Sequence, residues 1–372
     1  DICLKLGGIK GRISMKFNYV VGNPPYQMES EIEVTTNGQK PRKNIFHHFQ
    51  KQADDIATES SVLIYPGGRW MHQSGKGLQQ FGKDLINDSE LSTLEYYPDS
   101  KNIFGTAADI ADGISIVIKK KGKKTPGFEY IYTQNGKEIK VHADNPGDNL
   151  MPLNPNDVQI IHKVNDFVKS NGLNFLHDQI LSRSLFAIES DFVEKNKDKV
   201  REYNEGDSID EAREIKIFTN DKAGSSGRCK WFVTDKSVIG QNEKFIYEWQ
   251  VVVSSAHPGG QDGRDNQLSI IDNKSAFGRA RVALRSFTSY EEAKNFYDYA
   301  NTYLIKYTLL MTDEALTSLG KQVPDIQNYK TNNPLLNFSI DLNKQLYDLV
   351  KLTKDEIEYI ENIVGKKAKE ME

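Results

Sequence analysis

The chain has 372 residues, 38% hydrophobic and 27% charged, which is too long for one ordinary core and short for three, so two domains are expected. It has no apolar run near the ~20 residues of a membrane span, and its net charge of −4 means that the molecule as a whole does not attract a polyanion. Two distant cysteines, Cys3 and Cys229, exclude a disulfide framework and a cysteine metal cage. No export signal marks the first residues, so the cytoplasm is the expected compartment, and Asp1 in place of an initiator methionine leads us to expect a sequence trimmed upstream.

In chain order, FNYVVG (17–22) reads as a buried strand, rich in aromatic and β-branched residues and closed by glycine and proline. Residues 27–43 turn polar and are expected to form a mobile loop. NIFHHFQKQADDIA (44–57) has helical spacing, SSVLIYPGG (60–68) reads as a second strand, and 77–87 reads as a helix. LSTLEYYP (91–98) and ISIVIKKK (114–121) read as further strands, so the spacing predicts βαβ units, a mostly parallel sheet and an antiparallel edge hairpin. The Pro-, Asn- and Gly-dense NPGDNLMPLNPND suggests a linker, placing one domain at 1–148 and another at 149–372. Beyond it come a helix at 155–170, short strands over 229–255, a helix over 289–311 opened by Ser289 and Glu292, and a helix at 353–364.

The first strand runs into Asn23-Pro24-Pro25-Tyr26. Each proline fixes φ near −65° and removes an N–H, so the turn is stiff. The Asn23 side chain and the Pro24 carbonyl are then two neutral acceptors, a pair suited to the two protons of an –NH2 group. Tyr26 adds an aromatic face on which a planar base can stack. An exocyclic amine on a purine is a poor nucleophile because its lone pair is delocalised. Gripping its hydrogens favours a pyramidal nitrogen that can attack an activated methyl group, which is catalysis by positioning and electrostatics. In a duplex the nucleotide must be flipped out first. A stiff strand-to-loop turn without chemistry is the competing reading.

With NPPY, the motifs NIFHHFQKQA, VLIYPGGRWM, SGKGLQQF, YYPDSKNIFG and ADGISIVIKKK follow in an order that resembles the N6-adenine DNA methyltransferases of restriction-modification systems. SFTSYEEAKNFYDYANTYLIKY and the C-terminal residues resemble the later part of the same enzymes. The resemblance implies a partial Rossmann-like methyltransferase sheet followed by an α+β target-recognition domain. It implies that Asn23 and Pro24 hold the adenine amine, that Tyr26 stacks on the base, and that Phe49 or Phe46 lies by the adenine of S-adenosylmethionine. Lys119 or Lys120 holds the place where relatives often carry a second aromatic residue. KLGGIKG is too short for the strand and glycine turn that bind the methyl donor, and TSLGKQVPD is no such motif. A fragment, one half of a split enzyme and a degenerate DNA-binding relative all remain open, and an upstream cofactor-binding half or a fused endonuclease domain is an expected partner beside double-stranded DNA.

Charge distribution points the same way. KKKGKK puts forward Lys119, Lys120 and Lys121, and FGRARVALRSF puts forward Arg279, Arg281 and Arg285 as phosphate or guanine contacts. Solvated faces are the plainer alternative for each run. His47 and His48 are expected on different sides of a helix as surface residues, with no metal. SSAHPGGQDGRDN is expected to be a DNA-contacting loop, and the stripe Ala293, Phe296, Ala300, Tyr303, Tyr307 and Leu310 is expected in the core.

Overall fold

The computed structural model describes residues 15–369 apart from 30–41, 69, 72–76, 106–109, 111–112, 135, 148–149, 225, 261–265 and 312–315. The chain divides into two units, residues 1–155 and 156–372.

The first unit contains β1 (Phe17–Gly22), β2 (Gln27–Glu29), β3 (Arg42–Asn44), α1 (Phe46–Ile56), β4 (Ala57–Pro66), α2 (Gln79–Ile86) and β5 (Leu91–Tyr97). It continues through the single-turn α3 (Lys101–Phe104) to β6 (Ile114–Lys120), β7 (Phe128–Gln134) and β8 (Lys137–Ala143). Six of these strands form one sheet in the order β1-β4-β6-β5-β7-β8. Only β1 with β4 and β5 with β7 are parallel, so the sheet is mixed, not mostly parallel as expected. The cause is β6, which runs antiparallel to both of its neighbours and inserts between β4 and β5. The hairpin at the sheet edge is β7 with β8.

Register then fixes what lies at each end. Ile114 opposes both Pro66 and Tyr97, so the carboxyl ends of β1, β4 and β5 share one side of the sheet with the start of β6. Lys119 opposes Ser61 and Leu91 at the other end. Gly113 makes the entry to β6 possible: its φ is +71°, and a Cβ there would lie 1.9 Å from the Tyr97 carbonyl oxygen. Phe46, Leu63, Tyr65, Trp70, Leu94, Val117 and Tyr130 form the core of this unit. The expected loop over 27–43 begins and ends as a strand pair, with Gln27 opposite Asn44; residues 30–41 lie outside the described set.

The second unit opens with α4 (Val158–Ser170), β9 (Asn174–Phe175), α5 (Phe192–Lys195), β10 (Arg201–Glu202), β11 (Glu214–Asn220) and β12 (Cys229–Asp235). β13 (Trp249–Ser254), β14 (Ser269–Ile271), β15 (Ser275–Phe277) and β16 (Arg281–Phe287) follow. They make a four-stranded sheet, β10-β12-β11-β15, and a three-stranded one, β14-β13-β16. After them come α6 (Tyr290–Ala300), α7 (Tyr303–Leu310), β17 (Pro324–Asp325), α8 (Leu342–Val350) and α9 (Lys354–Lys369). The Ser289 hydroxyl accepts from the Glu292 N–H at 3.3 Å and donates to its carboxylate at 2.9 Å, a reciprocal cap.

The helix expected over 289–311 is two helices. Asn301 Nδ2 and Thr302 Oγ1 donate to the carbonyls of Tyr297 and Tyr299, drawing the backbone out of helical continuation. The buried stripe changes phase there: Ala293, Phe296 and Ala300 are buried before the break, and Leu304, Ile305 and Tyr307 after it, while Tyr303 is exposed. No described helix is long and apolar enough to cross a membrane.

Candidate active site at the end of the first strand

The Asn-Pro-Pro-Tyr turn leaves the sheet at the carboxyl end of β1. Asn23 and Pro25 are exposed, Pro24 is buried, and Tyr26 is half-buried. The Tyr26 carbonyl accepts from the Ile45 N–H at 3.0 Å, which ties the turn to the start of α1. The β2–β3 pair, with Gln27 Nε2 donating to Asn44 Oδ1 at 3.2 Å, ties its far side. A turn clamped on both sides and stiffened by proline holds the Asn23 backbone in place.

The polar atoms of the turn are open. The Tyr26 hydroxyl is buried without a hydrogen bond of standard geometry. Burial pushes its pKa up, and the Asn23 side chain near it opposes that shift. A buried hydroxyl without a partner is costly, by about 1–3 kcal/mol, unless something outside the fold completes it. Beside it, the His47 and His48 rings lie 4.0 Å apart, contrary to the expectation that they face different sides. His47 Nδ1 is also buried without a partner, and its pKa is lowered by burial, then by His48 and Lys43. Adjacency in the sequence gave no sign of this. Among the described residues, no group of three or more His, Cys, Asp or Glu side chains could hold a metal ion.

Several expected residues are placed elsewhere. Phe46 is 1% exposed and packs its ring against Tyr65 at 5.0 Å and Phe81 at 5.7 Å, so it has no face for a cofactor. Phe49 keeps a partly exposed ring on α1. Lys119 is at the end of the sheet opposite Asn23, 4% exposed, with Asp54 at 2.9 Å and Asp88 at 2.7 Å. Burial alone would lower its pKa, but the bonds to Asp88 and Asp54 outweigh it and hold the ammonium charged. It cannot reach DNA, nor stand beside a base at the turn. Lys121 pairs with Glu90 at 2.9 Å, and Lys120 is exposed.

In the second unit, Arg285 is bonded to Asp325, donates to the Gln327 carbonyl at 3.1 Å and lies over the Tyr329 ring, so its charge is engaged inside the protein. It leaves the set of DNA contacts for that reason. Arg279 is partly exposed and pairs with Glu189 at 2.8 Å, while Arg281 is 3% exposed over the Phe218 ring. Of the expected loop SSAHPGGQDGRDN, residues 261–265 lie outside the described set.

Residues 7–104 match the Eco57I restriction-modification methylase family. The matched stretch contains β1, the turn, α1, β4, α2 and β5. An uncharacterized adenine-specific methylase of Mycoplasma pneumoniae (strain ATCC 29342 / M129 / Subtype 1) is 29% identical over 90 residues, 24% of this chain and 20% of that one. The chain thus aligns with about a fifth of the length of this curated relative. A type I restriction-modification methyltransferase subunit from Streptococcus thermophilus has 14% identity and a TM-score of 0.24, covering 35% of this chain and 30% of that one. The type IIG restriction endonuclease BpuSI has 10% identity and a TM-score of 0.31, covering 92% of this chain and 49% of that one.

Proposed function

We propose that this chain is the catalytic and target-recognition part of a site-specific DNA adenine-N6 methyltransferase of a restriction-modification system. The observation that carries the reading is the clamped proline turn at the carboxyl end of β1, with an exposed Asn23 and an uncompleted Tyr26 hydroxyl, inside a stretch that matches restriction-modification methylases. Ligands of open α/β sheets bind at the carboxyl ends of strands.

In this reading the Asn23 side-chain oxygen and the Pro24 carbonyl accept the two N–H bonds of a flipped adenine amine. Holding both hydrogens draws the nitrogen towards a pyramidal shape and localises its lone pair. Tyr26 stacks on the base and offsets part of the few kcal/mol that extrusion costs, on the order of 1–3 kcal/mol for a stacked base. S-adenosylmethionine, when bound, supplies an electrophilic methyl group. In transfer, the adenine nitrogen would bond to the methyl carbon as that carbon's bond to sulfur breaks, leaving the donor as a neutral thioether, and the methylated amine would release one proton to solvent.

Of the two phenylalanines put forward for the methyl donor, Phe49 alone keeps a partly exposed ring. One wall is not a pocket. We therefore assign the rest of the donor site to a cofactor-binding half, fused or separate, and the edge of β1 supports this. Among the described strands β1 pairs with β4 alone, and Phe17, Tyr19 and Val21, on one face, are exposed, Tyr19 by 65% and Val21 by 75%. Parallel strands are usually covered on both faces, so a further strand and an apolar layer would complete this edge.

The test is methyl transfer to mixed-sequence duplex DNA, with the product nucleosides separated and weighed, using the protein with its cofactor-binding half present. Methyl on adenine N6, and a loss of roughly a hundredfold or more in transfer by Asn23→Ala with duplex affinity held within about twofold, support the reading. Equal loss of transfer and affinity would make Asn23 structural. Duplex binding without any transfer by the wild-type protein would leave a DNA-specificity module with a vestigial pocket.

A further inference from the structure

Two arginine side chains, Arg183 and Arg279, meet at one pole of the second unit, where β16 begins and β13 ends, with Arg281 next along the strand. Arg279 and Arg281 are two residues apart at the start of β16. The backbone there is fixed by Arg279 N–H to the Ile188 carbonyl at 2.8 Å, Ser255 N–H to the Ala280 carbonyl at 2.9 Å and Ser255 Oγ to the Arg279 carbonyl at 2.9 Å. Arg183 comes from the preceding segment, within electrostatic reach of both Arg279 and Glu189. Burial, then the Arg279 charge, lowers the Arg183 pKa, so two like charges are held together in a partly dry setting.

The donors of this group are open to an unusual degree. Arg183 Nε, Arg279 Nε and Arg281 Nε are all buried and make no hydrogen bond. So is Asn266 Nδ2, whose residue is 2% exposed and whose carbonyl accepts from Ser254 at the end of β13. Facing Arg183 and Arg279 is Glu189, bonded to Arg279 Nη1. Arg281 donates to Gln267 Oε1, lies 5.1 Å over Phe218 and hydrogen-bonds the Cys229 side chain. Open donors with surplus positive charge and little else are chemically complementary to an oxyanion.

We propose that Arg183 and Arg279, backed by the buried charge of Arg281, form a binding site for a phosphate group. It rests on the methyltransferase reading only for its source, which is then a DNA backbone phosphodiester. Arg183 and Arg279 keep partly exposed side chains and make the contact, while Arg281 contributes field from behind. The arginine run of the sequence included Arg279 and Arg281, but Arg183 lies about a hundred residues away and nothing local marks it.

Titration of the full chain with inorganic phosphate, followed through the NMR signals of the arginine Nε–H groups, tests the site. The Arg183 and Arg279 signals should move with phosphate and stay still with chloride of equal ionic strength. Arg183→Gln should weaken the Arg279 response severalfold, and Arg183→Lys should retain it, which separates lost charge from lost fold. No phosphate response, or the same response after Arg183→Gln, overturns the site. With duplex DNA, Arg183→Gln should lower the slope of log affinity against log salt by about one; an unchanged slope overturns the DNA source. A phosphate response in a chain that binds no duplex upholds the anion site and overturns the DNA reading.

Discussion

The two ends of the first unit's sheet treat polar groups in opposite ways. A continuous network runs from the Tyr65 hydroxyl, near the carboxyl end of β4, back to the Lys119 end: Tyr65 to Gln50 Oε1 at 2.6 Å, Gln50 Nε2 to Asp54 at 2.8 Å, and Asp54 to Lys119 at 2.9 Å. Every member has its partner. At the Asn23 end, about a strand's length away, the Tyr26 hydroxyl and His47 Nδ1 are buried without one. The same strands support both ends, so the difference does not come from fold quality. Groups completed within the protein hold it together, and groups left open at a strand's carboxyl end wait for a ligand.

Breaking the closed end should be costly. Lys119→Met removes the cation between Asp54 and Asp88, whose side chains are 29% and 30% exposed. Removing one partner of a fully buried pair costs 3–5 kcal/mol; water reaching these carboxylates brings the expected loss to about 2–3 kcal/mol in chemical denaturation. An unchanged midpoint would mean that the network holds nothing together. A matched pair of tyrosines sharpens the contrast. Tyr65→Phe leaves the Gln50 acceptor, itself 4% exposed, without its donor and should cost about 1–2 kcal/mol. Tyr26→Phe removes a hydroxyl that lies near the Asn23 side chain but makes no hydrogen bond of standard geometry, and should leave stability level or raise it by up to about 1 kcal/mol. A loss at Tyr26 as large as at Tyr65 would erase the distinction between the closed network and the open turn.

Four of the six strands of this sheet were legible because runs such as FNYVVG and VLIY combine β-branched and aromatic residues with glycine or proline stops, while β7 and β8 were not read. Their order was not, because β6 sits between β4 and β5 through pairings distant in sequence that no local pattern encodes. Lys119 illustrates a signal present and misread. In β6 the buried residues Ser115, Val117 and Lys119 share one phase of the alternation, so the first lysine of KKKGKK is in line with the core and only the next is exposed. The hairpin of β7 and β8 also had its mark, the Asn135–Gly136 dipeptide between alternating apolar residues. The turn itself was legible as NPPY, since prolines speak locally. The open hydroxyl of Tyr26 and the place of Arg183 were not, because both depend on what the rest of the chain fails to supply.

The second unit has closed groups of its own, and the smallest effect tests whether they behave as the Lys119 end does. Asp272 accepts from Lys216, from Ser275 Oγ at 2.6 Å and from the Lys274 N–H at 3.0 Å. Burial opposes its ionisation, yet the bonds from Lys216 and Ser275 prevail and its pKa is lowered. A carboxylate depressed in the fold stabilises above its unfolded value of about 3.9, and that contribution disappears as pH falls through the folded value. Wild-type protein should therefore lose stability between roughly pH 5 and 3 more steeply than Asp272→Asn, by about 1 kcal/mol across that window. At neutral pH the variant should be the weaker of the two, and at the acid end the gap should close. Parallel curves would place the charge of Asp272 outside the balance, and the rule drawn from the Lys119 end would then hold for one unit only.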